Sequence, residues 1–111
     1  MSDSWLRREV TVVNREGLHL RPADMFVRLA SRYQSRVVVC RDSLRVDGKS
    51  ILEIATLGAA QGTVLVIEVC GDDAEHALGA LAELVQNGFH DGPPAADSAD
   101  GRSSLGETPN P

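Results

Sequence analysis

Gly17-Leu18-His19-Leu20-Arg21-Pro22 is the stretch of this chain whose residue types could do chemistry. The imidazole of His19 falls where a turn signal, Arg15-Glu16-Gly17, gives way to a helical period over Pro22, Met25/Phe26, Leu29/Ala30 and Tyr33. The first amides of a helix have no intrahelical acceptor and point outwards with the positive end of the dipole, so a group here can hold an anion such as phosphate. Pro22 suits the first turn, where its missing N–H costs nothing. Arg21 adds a permanent cation whose planar fork matches phosphate oxygens, and Gly17 allows the bend that turns the imidazole outwards. The positive dipole end disfavours a second positive charge, so an imidazole here is biased towards its neutral, nucleophilic form. Attack of a ring nitrogen on a phosphoryl donor gives a phosphoramidate whose phosphoryl group stays reactive, with the amides and Arg21 stabilising its charge on arrival and departure. This chemistry needs no metal, and no Ser/His/Asp or metal-ligand set accompanies His19. A lone histidine at a helix start is also readable as an exposed capping residue, and spacing alone does not decide between the two.

A second candidate lies at Ser50-Ile51-Leu52-Glu53, which fits a capping box: Ser50 accepts from a backbone amide and Glu53 reaches back to the cap. Ile51, Leu52 and Ala55 beside it are readable either as a contact patch or, for Ile51 and Leu52, as core, since one helical turn does not separate the two. His76 and His90 read as surface histidines.

The elements that must position these groups follow from periodicity. A strand is expected over Leu6–Asn14, a helix from Arg21 to about Tyr33, and a hairpin of Arg36–Arg41 with Leu44–Val46 around Asp42-Ser43. A short helix follows over Ser50–Leu57 with Gly58 at its end, then a strand over Thr63–Cys70 and a helix over Asp72–Asn87 ending at Gly88. The short connection between the second and third strands demands antiparallel pairing. The expected fold is therefore α+β, an open-faced sandwich in which three helices cover one face of a four-stranded antiparallel sheet.

With 111 residues, 42% hydrophobic and 24% charged, the chain is sized for one globular domain, expected over residues 1–89. Residues 90–111, rich in Gly, Pro, Ser and Asp, read as a disordered tail. No apolar run approaches the ~20 residues that cross a bilayer, and charges interrupt the N-terminus where a secretory segment would be apolar, so no membrane insertion and a cytoplasmic location are expected. The net charge of −5 argues against a nucleic-acid partner, but residues 1–50 hold ten Arg/Lys against six Asp/Glu, so one side should be basic. No GxGxxG or GxxxxGK[ST] nucleotide cradle occurs. Cys40 and Cys70 lie inside strand-like runs and read as reduced core thiols.

Three segments in order, Gly17-Leu18-His19-Leu20-Arg21-Pro22-Ala23, Val46-Asp47-Gly48-Lys49-Ser50-Ile51-Leu52 and Leu57-Gly58-Ala59-Ala60-Gln61-Gly62, resemble HPr, the histidine phosphocarrier family of the bacterial phosphoenolpyruvate-dependent phosphotransferase system. The resemblance covers about Arg8–Phe89 with no insertion or deletion between the motifs. It implies the open-faced β-sandwich, phosphorylation of His19 on Nδ1 by enzyme I with Arg21 assisting, and onward transfer to IIA-type acceptor domains. It further implies a carrier and not an enzyme, with no cofactor or metal and phosphoenolpyruvate as the upstream donor, and a monomer. It also implies regulatory phosphorylation of Ser50 by HPr kinase/phosphorylase, with Leu20, Pro22, Ile51, Leu52 and Ala55 as partner contacts. Leu20 replaces the small residue usual in the family, and Glu16 puts a carboxylate three positions before His19, where it would repel a phosphoryl group if it pointed inwards. The alternatives are a regulatory module whose output is the Ser50 phosphorylation state, and a small phosphatase-like hydrolase, which lacks a water-activating group.

Overall fold

The computed structural model describes residues 4–89. The expected tail, with His90, lies outside the described residues. Within them the elements are β1 (Leu6–Thr11), α1 (Leu20–Ala30), β2 (Arg36–Arg41), β3 (Leu44–Asp47), α2 (Ile51–Ala55), β4 (Val64–Cys70) and α3 (Ala74–Gln86). The four strands form one antiparallel sheet in the order β1-β4-β2-β3. The connection through α1 leaves a gap one strand wide between β1 and β2, and β4 fills it, with Val10 opposite Leu65 and Val39 opposite Ile67.

Alternation along the strands sends one set of side chains to the helices. Val10, Val37, Val39, Val46, Leu65, Ile67 and Val69 are buried there, together with Phe26 and Ala30 of α1, Ile54 of α2 and Ala77, Leu81 and Val85 of α3. The hairpin turns at Asp42, whose φ of 54° is a left-handed conformation that aspartate tolerates. Helix α3 starts two residues later than its acidic flank suggested: Asp73, at its N-cap, makes no cap bond and instead accepts from the amides of Gln34 and Ser35 and from the Ser35 hydroxyl. That carboxylate ties the start of α3 to the loop between α1 and β2, and these bonds, the Ser35 hydroxyl first, hold it below the usual aspartate range.

The opposite face of the sheet carries Arg7, Glu68, Cys40 and Arg45. Glu68 is 7% exposed and sits between Arg7 Nε at 3.1 Å and Arg45 Nη1 at 2.6 Å. The cysteines meet the expectation of core thiols only in part. Cys40 is buried on this outer face, with its Sγ 3.6 Å from Arg45 Nη1, and Cys70 is half-buried; both are free. Burial first, then the Glu68 charge, pushes the Cys40 thiol above the usual cysteine range.

Candidate functional site

The chain leaves the sheet after Thr11, and the next residues are held from outside. Val12 exchanges backbone bonds with Thr63 and Gly62, at 2.9 and 2.7 Å, and the Gln61 side chain donates from Nε2 to the Val13 carbonyl at 3.0 Å. Asn14 closes the turn: its carbonyl accepts from Gly17 N at 3.1 Å, and its Nδ2 donates to the Gly17 carbonyl at 2.6 Å. Gly17 has φ +75°, and a Cβ there would stand 2.6 Å from the Ala59 carbonyl oxygen, so only glycine fits. The Leu18 amide donates to that same carbonyl at 2.8 Å, and its side chain is buried. The Leu57–Gly62 segment is thus the clamp that fixes the turn before α1.

His19 is the N-cap of α1, in extended backbone, and its carbonyl accepts the first helical bond from Ala23 N at 3.0 Å. Its side chain makes no cap bond, so the first-turn amides receive no acceptor from it. The first turn of α1 contains no acidic residue. The imidazole is 45% exposed and opens on a shallow depression lined by Asn14, Arg15, Glu16, Arg21, Pro22, Met25, Gly88 and Phe89. Arg21 is exposed at its rim. Glu16 points its Oε1 at His19 Nε2, 3.2 Å away, so its charge meets one particular ring nitrogen. Asn14 and Phe89 were not singled out from the sequence. Phe89 is buried with φ 60° and brings the end of the described chain against the depression, a long-range placement with no local signal. Asn14 lies beyond the end of β1 at Thr11, although the alternation extends the expected strand to it, and its turn role shows only in its contacts with Gly17.

The second site is built differently. Ser50 is the N-cap of α2 and its Oγ accepts from Glu53 N at 3.3 Å. The other half of the expected capping box is corrected: Glu53 Oε1 accepts from Asp47 N at 2.8 Å, while Ser50 N donates to the Asp47 carbonyl. Glu53 reaches past the cap because the tight Asp47–Ser50 turn, with Lys49 N on Asp47 Oδ1, has already used the Ser50 amide. Lys49 Nζ donates to the Tyr33 carbonyl and ties this turn to the end of α1. Among the expected contact residues, Leu20 is 63% and Leu52 75% exposed; Ile51 and Ala55 are half-buried, and Pro22 is buried and presents little surface to a partner. His76 is exposed, with its ring centroid 6.1 Å from that of Tyr33.

A family model described as "PTS HPr component phosphorylation site" matches residues 6–87. The chain belongs to the HPr family. It is 38% identical over 87 residues to the phosphocarrier protein HPr of Neisseria meningitidis serogroup A, covering 78% of this chain and 98% of that one. It is 44% identical over 85 residues to the phosphocarrier protein HPr of Pseudomonas aeruginosa, covering 76% and 94%. Among solved structures, HPr from Bacillus anthracis superposes with a TM-score of 0.72 at 37% identity, covering 75% of this chain and 99% of that one. HPr from Thermoanaerobacter tengcongensis does so with a TM-score of 0.73 at 39% identity, covering 76% and 94%. This HPr-family chain therefore has a phosphocarrier role in the phosphotransferase system. Among the described residues no group of three His, Cys, Asp or Glu side chains could hold a metal, and no helix is long and apolar enough to cross a membrane.

Proposed function

We propose that His19 accepts a phosphoryl group on Nδ1 from phospho-enzyme I, with phosphoenolpyruvate as the original donor, and passes it to a IIA-type acceptor domain. The observation that carries this reading is an exposed imidazole at the N-cap of α1 that makes no cap bond, with Arg21 at the rim of the same depression. An incoming phosphoryl group meets the positive end of an eleven-residue helix whose first turn holds no carboxylate, with a guanidinium beside it. Leu20 and Leu52 supply apolar surface for both partners, flanked by Ile51 and Ala55. The protein acts as a cytoplasmic monomer without a bound cofactor, a substrate of its partners and not an enzyme in its own right. Incubation with phosphoenolpyruvate, magnesium and enzyme I should add one acid-labile phosphate by intact mass, absent from His19→Ala. A wild type that stays unlabelled beside an active control carrier would remove this reading.

A regulatory mark on Ser50 by an HPr kinase/phosphorylase is the second part of the reading. Ser50 is a half-buried residue at the start of a helix, where added phosphate is tolerated, and the ~−2 charge of a phosphate would change the surface next to Leu52. Acid-stable labelling by such a kinase, lost in Ser50→Ala, tests it.

A further inference from the structure

Glu16 and His19 flank a turn that the Leu57–Gly62 segment holds from outside, with the Leu18 amide on the Ala59 carbonyl. Gly17 between them has φ +75° with its backbone against Ala59, and Asn14 bonds across it. Within this frame Glu16 Oε1 lies 3.2 Å from His19 Nε2. A lone pair on Nε2 would face an anionic oxygen at that distance, whereas an Nε2–H meets an acceptor. In a neutral imidazole the proton on Nε2 leaves the lone pair on Nδ1. Among the described residues lining the depression Glu16 is the one carboxylate, beside the cations Arg15 and Arg21.

We propose that Glu16 is a positioning residue: it selects the Nε2–H tautomer of His19, so presenting Nδ1 as the nucleophile, and supplies the counter-charge to the ring after phosphorylation. The inference rests on the phosphoryl-acceptor reading of His19. In the transfer, the Nδ1 lone pair forms the new bond to phosphorus as the donor's bond to phosphorus breaks, its electron pair leaving with the donor. Nε2 keeps its proton throughout, so the phosphorylated ring carries a positive charge that faces Glu16. The phosphoryl oxygens sit on the other nitrogen, farther from this carboxylate, so attraction to the ring outweighs repulsion. A carboxylate three residues before the histidine is thus an aid to transfer.

The test compares the full-length wild type, Glu16→Gln and Glu16→Ala, each checked for fold by circular dichroism. Ring 15N shifts of His19, recorded on unphosphorylated protein at a pH where the imidazole is neutral, should show the Nε2–H tautomer dominant in wild type. Glu16→Ala should move the tautomer ratio several-fold towards Nδ1–H and slow acceptance from phospho-enzyme I about fivefold, the size an exposed pair supports. Glu16→Gln keeps an acceptor oxygen without the charge; it should retain most of the tautomer bias yet shift the phosphoryl equilibrium away from the carrier. Unchanged tautomer ratio and acceptance rate in Glu16→Ala overturn the proposal. Failure of the wild type to take phosphate would instead remove the phosphocarrier reading, while the tautomer ratio would still decide the role of Glu16.

Discussion

Helices α1 and α2 begin with the same problem and solve it in opposite ways. Each starts from an N-cap in extended backbone, and each has first-turn amides without intrahelical acceptors. At α2 the chain fills that need itself: Ser50 Oγ accepts from Glu53 N, and Glu53 and Asp47 use the amides of the turn before it. At α1 the N-cap is a histidine that makes no cap bond, the first turn has no acidic residue, and Glu16 is drawn to the far ring nitrogen. A self-satisfied helix start is a structural joint, while one left open beside a cation is a place for an incoming anion. Helix α3 is a third solution, in which the Asp73 carboxylate holds a distant loop and not its own helix.

The sharpest way to break this comparison is to remove the cation at the open start. Arg21→Ala should lower the rate of phosphoryl acceptance by about 10²-fold, as loss of a charge-stabilising donor commonly does, with the fold intact. Stopped-flow or quench-flow transfer from phospho-enzyme I measures it, and a rate within twofold of wild type would mean that α1 alone suffices.

Gly17→Ala comes next, because it attacks the frame and leaves the charges in place. A left-handed backbone and a Cβ directed at the Ala59 carbonyl should cost about 2 kcal/mol in urea unfolding, together with slower transfer. Equal stability would show that the Leu57–Gly62 clamp yields easily.

Ser50→Ala sharpens the contrast from the other side. Loss of the cap bond should cost about 1 kcal/mol of stability while transfer through His19 is unchanged. A transfer defect without destabilisation would make the α2 start part of the site.

The smallest effect expected is at α3. The Asp73 carboxyl is held low in the folded state, so its contribution is present above its unfolded value and is lost as pH falls through the folded one. The urea midpoints of wild type and Asp73→Asn should therefore differ at pH 7 and converge as the pH drops below about 3.8, the unperturbed value. A difference that stays constant with pH would show that Asp73 acts through geometry alone.

Much of this molecule is written locally. Alternation in Leu65, Ile67 and Val69 against Val64, Val66 and Glu68 marks β4, the period from Pro22 to Ala30 marks α1, and Gly17-Leu18-His19 marks the turn that precedes it. These signals are legible because each arises from neighbours within one strand or one helical turn. His19 and Arg21 could be named as candidates for the same reason: their chemistry depends on standing at a helix start.

The rest was decided by contacts between residues far apart in the chain. Nothing local places β4 between β1 and β2, because that order follows from the gap left by the α1 connection. Gln61 reaches Val13 across 48 positions, and Asp73 reaches Ser35 across 38, so neither partner is visible from its own neighbourhood. Cys40 lies in a strand whose alternation was clear, yet its place on the outer face, beside Glu68 and Arg45, depends on how three strands are paired. Even the pairing of Glu16 with His19, three residues on, needed the tertiary structure: the Gly17 bend between them is held by Ala59 from across the fold. By itself the sequence determined the kinds of element and the residues able to do chemistry, since periodicity and helix ends are local; the tertiary structure decided which atom of each residue meets which neighbour, since packing is not.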